Sequence, residues 1–345
     1  MAQLTFSQHP RVTIEGSEIR KITSKIVAGQ EYDLQIVLPA GYTNSDKKYP
    51  VVYVMDSQWD LPLVSSISGQ QYYDGFIPKI IIVGITWGGT KPNPGVLRAR
   101  DYTPSKDGSG VETGGADKFL DFIKMEVFPF MDANYRVDNT NKTLMGCSLG
   151  GLFTMYSLFT HPEMFNNYIA ASPAFGWDKE ILYSYEKMYS ENKNTPTAKL
   201  FMTIGEVERG VSNFEVLTSH MQNRHYNSLQ FRAKILENTG HSGTKSETYT
   251  RGLQYAFEKP NLKIPEELLK KYTGTYQSKK GNKIELKAEN SHLVLHFQNS
   301  NVILRASGNT SFYSKSELTD IEFDVKTPGS LIINTYENSE VFTKI

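Results

Sequence analysis

This sequence lacks several of the features that most quickly assign a function. It has one cysteine, Cys147, in 345 residues, so it can build no internal disulfide framework and no cysteine-based zinc site. It has no excess of either charge, because Lys plus Arg and Asp plus Glu each number 37. Dedicated binders of nucleic acid or anionic membrane carry a basic excess, so neither is expected as a partner. The longest apolar run is Ile80-Ile81-Ile82-Val83, followed by Gly84-Ile85. That is far short of the ~20 residues that span a bilayer. No His, Asp and Glu cluster has metal-ligand spacing, and no Walker or dinucleotide glycine loop occurs, so neither a metal nor a cofactor is expected. Gly108-Ser109-Gly110 follows no strand and reads as plain loop. Met1–Phe6 has neither a basic n-region nor an apolar h-region, which predicts no signal peptide. The compartment stays open between cytoplasmic and, for a chain whose leader was removed, periplasmic or secreted.

What is present is ample core material. Hydrophobic residues make up 39% and charged residues 21%, which suits a globular chain of about two domains at roughly 150 residues each. From residue 30 to about 258, short apolar runs alternate with helix-like stretches. Strands are expected at Tyr32–Leu38, Val51–Met55, Ile80–Ile85, Thr143–Gly146, Tyr168–Ala171, Leu200–Ile204 and Phe231–Leu236. Helices are expected at Asp117–Met131, Gly150–Phe159 and Ser246–Phe257. That alternation predicts an α/β fold whose mostly parallel sheet is covered on both faces. Val12–Ile14 and Ile19–Ile22 read as antiparallel edge strands. Composition shifts near Lys259-Pro260. After a helix at Pro265–Lys271, short strands spaced by Gly, Asn, Ser and Pro predict a small antiparallel β domain. Strands are expected there at Tyr272–Tyr276, Lys283–Leu286, Leu293–Phe297, Val302–Leu304, Ile321–Val325 and Leu331–Thr335. The expected domains are therefore 1–260 and 262–345.

The sharpest chemical signal is Gly146-Cys147-Ser148-Leu149-Gly150-Gly151. It fits G-x-S-x-G between a buried strand and a helix, the context a nucleophile elbow needs. There the glycines permit the sharp turn, Ser148 stands at the sheet's carboxyl edge, and the Leu149 N–H at the helix start can meet an oxyanion. A serine nucleophile needs a base. Of seven histidines, His241 lies in Asn238-Thr239-Gly240-His241-Ser242-Gly243, on the loop after the last core strand. The base needs an orienting carboxylate, and Glu206 and Glu208 follow the Leu200–Ile204 strand; Glu208, two residues further out, is preferred, with Glu206 the alternative. A second oxyanion donor is expected from the loop Asp56-Ser57-Gln58-Trp59-Asp60, at the Gln58 N–H. Trp59, Trp87 and Trp177 flank the same edge and are candidates for an aromatic pocket wall. Arg98 and Arg100, in the charge-dense loop Arg98–Pro104, either hold an anionic or catecholate-bearing substrate or form an internal brace with Asp101, and the brace carries more weight.

Residues 17–258 resemble the esterase D / "Putative esterase" family of α/β-hydrolases. The likeness rests on Ile36–Tyr42, Tyr49–Asp56, Arg100–Pro104, Gly114–Phe119 through Asn134-Tyr135-Arg136, the elbow, Ser172-Pro173 and Gly240-His241. Feruloyl, acetyl-xylan and trilactone siderophore esterases and mycolyltransferases share that family. The resemblance implies Ser148 as nucleophile, His241 as base and an acid at Glu206 or Glu208. The expected function is therefore hydrolysis of a small-molecule ester. An acylated or feruloylated carbohydrate is the first choice, and a siderophore trilactone or an acyl transfer on the same fold is the alternative. The tail looks like the small β domain appended to some serine hydrolases. The sequence carries no signal for oligomeric state.

Overall fold

A computed structural model describes residues 12–108, 111–178, 181–297, 300–315, 319–335 and 338–345. Met1–Phe6 and Ser109-Gly110 lie outside the described residues. The chain divides into two compact units, Met1–Ser68 with Lys79–Ala256, and Gly69–Pro78 with Phe257–Ile345.

The strands of the larger unit are β1 (Ser17–Thr23), β2 (Glu31–Val37), β3 (Tyr49–Val54), β4 (Ile81–Trp87), β5 (Val137–Cys147), β6 (Asn167–Ala171), β7 (Ala198–Gly205) and β8 (Leu229–Leu236). They form one sheet in the order β1-β2-β4-β3-β5-β6-β7-β8. β1 and β2 are antiparallel to each other, and β2 to β4. From β4 to β8 all neighbours run parallel. Both faces of the sheet's centre are covered, so every residue of β4 and β6 is buried, as is β5 over Thr143–Cys147. β8, at the edge, alternates instead and turns Gln230, Arg232 and Lys234 outward. Around the sheet lie α1 (Ser57–Tyr73), α2 (Pro94–Tyr102), α3 (Ala116–Phe122), a π-helical turn (Ile123–Val127), α4 (Phe128–Asn134), α5 (Leu149–Thr160), α6 (Ile181–Glu191), α7 (Val211–Arg224) and α8 (Thr244–Ala256). This is the α/β-hydrolase arrangement, and it brings the ends of the parallel strands to one edge.

Several expectations need correction. Val12–Ile14 form no strand. Ser17 N–H bonds back to Ile14 C=O, and Gly16 takes φ 72° where a Cβ would meet Leu38 O at 2.8 Å, so the chain turns there and pairing starts at Ser17. The segment Arg98–Pro104 is mostly helix, not loop. Asn93 caps α2 through the N–H groups of Gly95 and Val96, with Pro94 in the first turn. The expected loop at Ser57–Asp60 is the first turn of α1, which accommodates Pro62 in its interior.

The smaller unit is a closed antiparallel barrel. After α9 (Glu266–Tyr272) come β9 (Gly274–Ser278), β10 (Lys283–Glu289), β11 (His292–Phe297), β12 (Ser300–Ala306), β13 (Ser311–Ser314), β14 (Thr319–Phe323), β15 (Ser330–Asn334) and β16 (Ser339–Lys344). β16 pairs with β9, which removes both open edges. Tyr272 and Thr273, expected in a strand, end and cap α9. Tyr276, Phe312 and Tyr313 point into packing rather than solvent. Each fully buried side chain of this kind stabilises by about 1.5–3 kcal/mol, so the barrel has its own apolar core.

Candidate active site

The turn between β5 and α5 is where the sheet's central strand meets its most buried helix. Gly150 to Phe159 are all buried. Ser148 sits at φ 59° and ψ −118°, outside the ordinary basins for an L-residue. The conformation is held from both sides. Ser148 N–H donates to Ala171 C=O at 3.0 Å, and Ser148 C=O accepts from Leu152 at 2.9 Å and Ala174 at 3.1 Å. Gly146 is required by the close approach, because a Cβ there would lie 2.6 Å from the Gly150 carbonyl. Leu149 opens α5, where helix N–H groups have no partner within the helix. Cys147 is buried, and burial pushes its thiol up to about 12.

Two strands away, the loop after β7 carries Glu208 and the loop after β8 carries His241. His241 Nδ1 donates to Glu208 Oε2 at 2.6 Å. The other carboxylate oxygen accepts from Ser172 Oγ at 2.6 Å and Gly205 N–H at 2.7 Å. Burial opposes charge on Glu208, but these donors outweigh it and hold its pKa below the ordinary carboxylate value. Ser172 is itself buried at φ 40° and lies 2.9 Å from Thr244 Oγ1, whose hydroxyl donates to His241 C=O. The imidazole is thus oriented through its ring nitrogen and its backbone. Glu206 has a different role: its Oε2 accepts from Asn238 N–H at 2.9 Å on an exposed loop. Ser148 reaches this pair through the chain, since Ala171, which accepts from Ser148 N–H, precedes Ser172. No direct hydrogen bond joins Ser148 Oγ to His241.

Charged pairs line the same edge. Asp56, after β3 at φ 54°, receives two hydrogen bonds from Arg98, at 2.9 and 2.6 Å. Asp60, in the first turn of α1, receives Lys245 Nζ and Tyr249 Oη, each at 2.6 Å. Lys245 and Tyr249 belong to α8, which starts three residues after His241. The pair therefore ties the base's loop to the helix that carries Gln58. The Gln58 N–H lies in the first turn of α1, ahead of the N–H groups of Trp59 and Asp60 that bond to Asp56 C=O, and its side-chain Oε1 accepts from Thr86. Among the described residues no group of three or more His, Cys, Asp or Glu could hold a metal ion.

The proposed pocket wall changes membership. Trp87 is 3% exposed and donates to Asp101 at 2.7 Å, so it belongs to the core and not to a pocket. Arg100 is likewise an internal brace: it holds Asp101 through Nε and Nη2 and reaches Tyr32 and Gln30. Arg98 is spent on Asp56. Trp59 is exposed, with the Arg98 guanidinium 5.8 Å from its ring, and Trp177 is part-buried with its indole N–H on Ser105. Sequence reasoning missed Ser172, Thr244, Asp60 and Lys245 as supports. For Ser172 a signal existed, because it ends an apolar strand at the edge where parallel sheets collect their chemistry.

Comparison with known proteins shows what the chain is similar to. A family model described as "Putative esterase" matches residues 24–258. The chain is 28% identical over 212 residues to ferri-bacillibactin esterase BesA of Bacillus subtilis, covering 57% of this chain and 72% of that one. It is 31% identical over 175 residues to the siderophore triacetylfusarinine C esterase of Aspergillus fumigatus, covering 48% of this chain and 59% of that relative. The crystal structure of the BES protein from Bacillus cereus superposes with a TM-score of 0.66 at 27% identity, over 73% of this chain and 98% of that one.

Proposed function

The chain belongs to the "Putative esterase" family and is a serine hydrolase of the α/β-hydrolase fold; from that premise we propose that Ser148, His241 and Glu208 hydrolyse a carboxylic ester through an acyl-enzyme. The observation that carries the proposal is the 2.6 Å contact between His241 Nδ1 and a part-buried Glu208 whose donors favour its charged form. That contact keeps the proton on Nδ1 and leaves Nε2 free to accept one. Nε2 takes the Ser148 hydroxyl proton as Oγ attacks the ester carbonyl, and returns it to the leaving alkoxide. It then activates water against the acyl-enzyme. The N–H groups of Leu149 and Gln58 receive the oxyanion, each donor of this kind being worth about 10²–10³ in rate. Ser148→Ala assayed on p-nitrophenyl esters tests the assignment, and undiminished turnover would contradict it.

Two substrate classes have support. An acylated or feruloylated carbohydrate draws on Trp59 and Trp177 as apolar surface beside the edge. An ester-linked siderophore draws on the similarity to the siderophore esterases of Bacillus and Aspergillus. Arg98 gives the second class no help as placed, because its guanidinium is paired with Asp56. Parallel hydrolysis of methyl ferulate and a catecholate trilactone separates the two. Adding a sugar acceptor and looking for an acylated product separates hydrolysis from acyl transfer.

A further inference from the structure

None of the residues placed in the chemistry above belongs to the barrel, which holds a cavity of about 480 Å³. Its floor is apolar, with the buried side chains of Leu304, Ala306 and Phe312. Its lip is a short strap held down by one backbone bond, from Leu262 N–H to Ala306 C=O at 2.8 Å. The strap leaves Leu262, a large apolar side chain, 47% exposed at the opening. Lys263 and His292 stand beside it, and no acidic side chain lines the cavity. Lys263 makes no ion pair or hydrogen bond among the described residues. His292 donates through Nδ1 to Asn290 C=O at 2.8 Å, which leaves its Nε2 as an acceptor and Lys263 as the cation at the rim.

We propose that this cavity is a binding site for a small monocarboxylate with an apolar body. Burial of the body against the floor and Leu262 supplies the affinity, and Lys263 receives the carboxylate at the rim. At ~30 Å³ per water, the volume equals about sixteen waters, which suits a ligand of about a dozen non-hydrogen atoms with some solvent left. A neutral ligand leaves the Lys263 charge unused. A cationic one meets Lys263 with no carboxylate to offset it. The site stands independently of the catalytic reading, since none of its residues belongs to the proposed triad or its supports.

The test is calorimetric titration of the full chain with decanoate, decan-1-ol and decylamine. Decanoate should bind with a dissociation constant of about 10 μM to 1 mM, as expected for so small a ligand. Decan-1-ol should bind at least about fivefold more weakly, and decylamine not measurably. Ala306→Phe fills the floor and should abolish binding. Lys263→Glu alters an exposed side chain, leaves the fold intact, and should weaken decanoate about tenfold without changing decan-1-ol. Both variants should hydrolyse p-nitrophenyl acetate at the parent rate. The proposal is overturned if decanoate gives no binding heat, if Lys263→Glu leaves its affinity unchanged, if a folded Ala306→Phe still binds it, or if decylamine binds as tightly.

Discussion

Replacing Glu208 with glutamine tests the orientation of the base, and the structure dictates how the new amide must sit. In the parent, Oε1 accepts from Ser172 Oγ and Gly205 N–H. An amide NH₂ at that position would face two donors and lose both bonds, so the glutamine carbonyl must take it. The NH₂ then faces His241 Nδ1, which must become an acceptor, and the ring proton moves to Nε2, the nitrogen that should receive the Ser148 proton. In serine hydrolases the same exchange lowers kcat about 10⁴-fold, or roughly 5 kcal/mol at 1.36 kcal/mol per decade. His241 is half exposed, so water competes with the amide and the fall should be about 10²–10⁴. KM on p-nitrophenyl butyrate should move by less than about threefold, because the altered group binds the base and not the substrate. Glu206→Gln, altering only a bond to Asn238, should stay within about twofold. A Glu208→Gln rate within about tenfold of the parent would refute the reasoning. Stability supplies a second readout. The folded-state pKa of Glu208 lies below its unfolded value near 4.5. Its contribution is therefore full above that value and is lost as pH falls through the folded one. The Tm gap between parent and Glu208→Gln, present at pH 7, should close on acidification below about 4.5.

Three further outcomes are expected. Ser148→Gly, which relieves the φ 59° strain while removing the nucleophile, should raise stability by about 1 kcal/mol, or 2–4 °C in Tm, whereas Ser148→Ala should not. Lys245→Met leaves the Asp60 carboxylate buried with Tyr249 alone, and should cost about 3 kcal/mol by urea denaturation while lowering kcat more than it changes KM. Cys147 should resist iodoacetamide at pH 8 in the native protein and react once unfolded, because its thiol is buried and titrates near 12.

The parts that were legible in the sequence are those where one local pattern had one physical solution. Strands buried on both faces, such as β4, must be continuous apolar runs, and a glycine-flanked serine between strand and helix can hardly be anything but a sharp turn. The barrel's strands were partly legible for the same reason. β13 and β16 escaped because Ser311–Ser314 is four residues long and Ser339–Lys344 has only two apolar residues. α2 escaped although Asn93-Pro94 marks its start, because the charge density of Arg98–Asp101 reads as a loop. Those charges are satisfied inside the protein, by Asp56 and Asp101. Trp87 misled in a similar way. Its place after a strand suggested the rim, whereas it ends β4 and its indole N–H is satisfied by Asp101. The supports of Glu208 come from Ser172 and Gly205, far apart in sequence, and only the parallel pairing of β6 with β7 brings them together.

The most direct test of the account is the site of covalent capture. A fluorophosphonate probe is incubated with the native protein, which is then digested, and the modified peptide is sequenced by mass spectrometry. Ser148 should carry the single adduct, which should be absent in Ser148→Ala and form much more slowly in His241→Ala and Glu208→Gln. An adduct on another residue, or labelling that persists in Ser148→Ala, would contradict it.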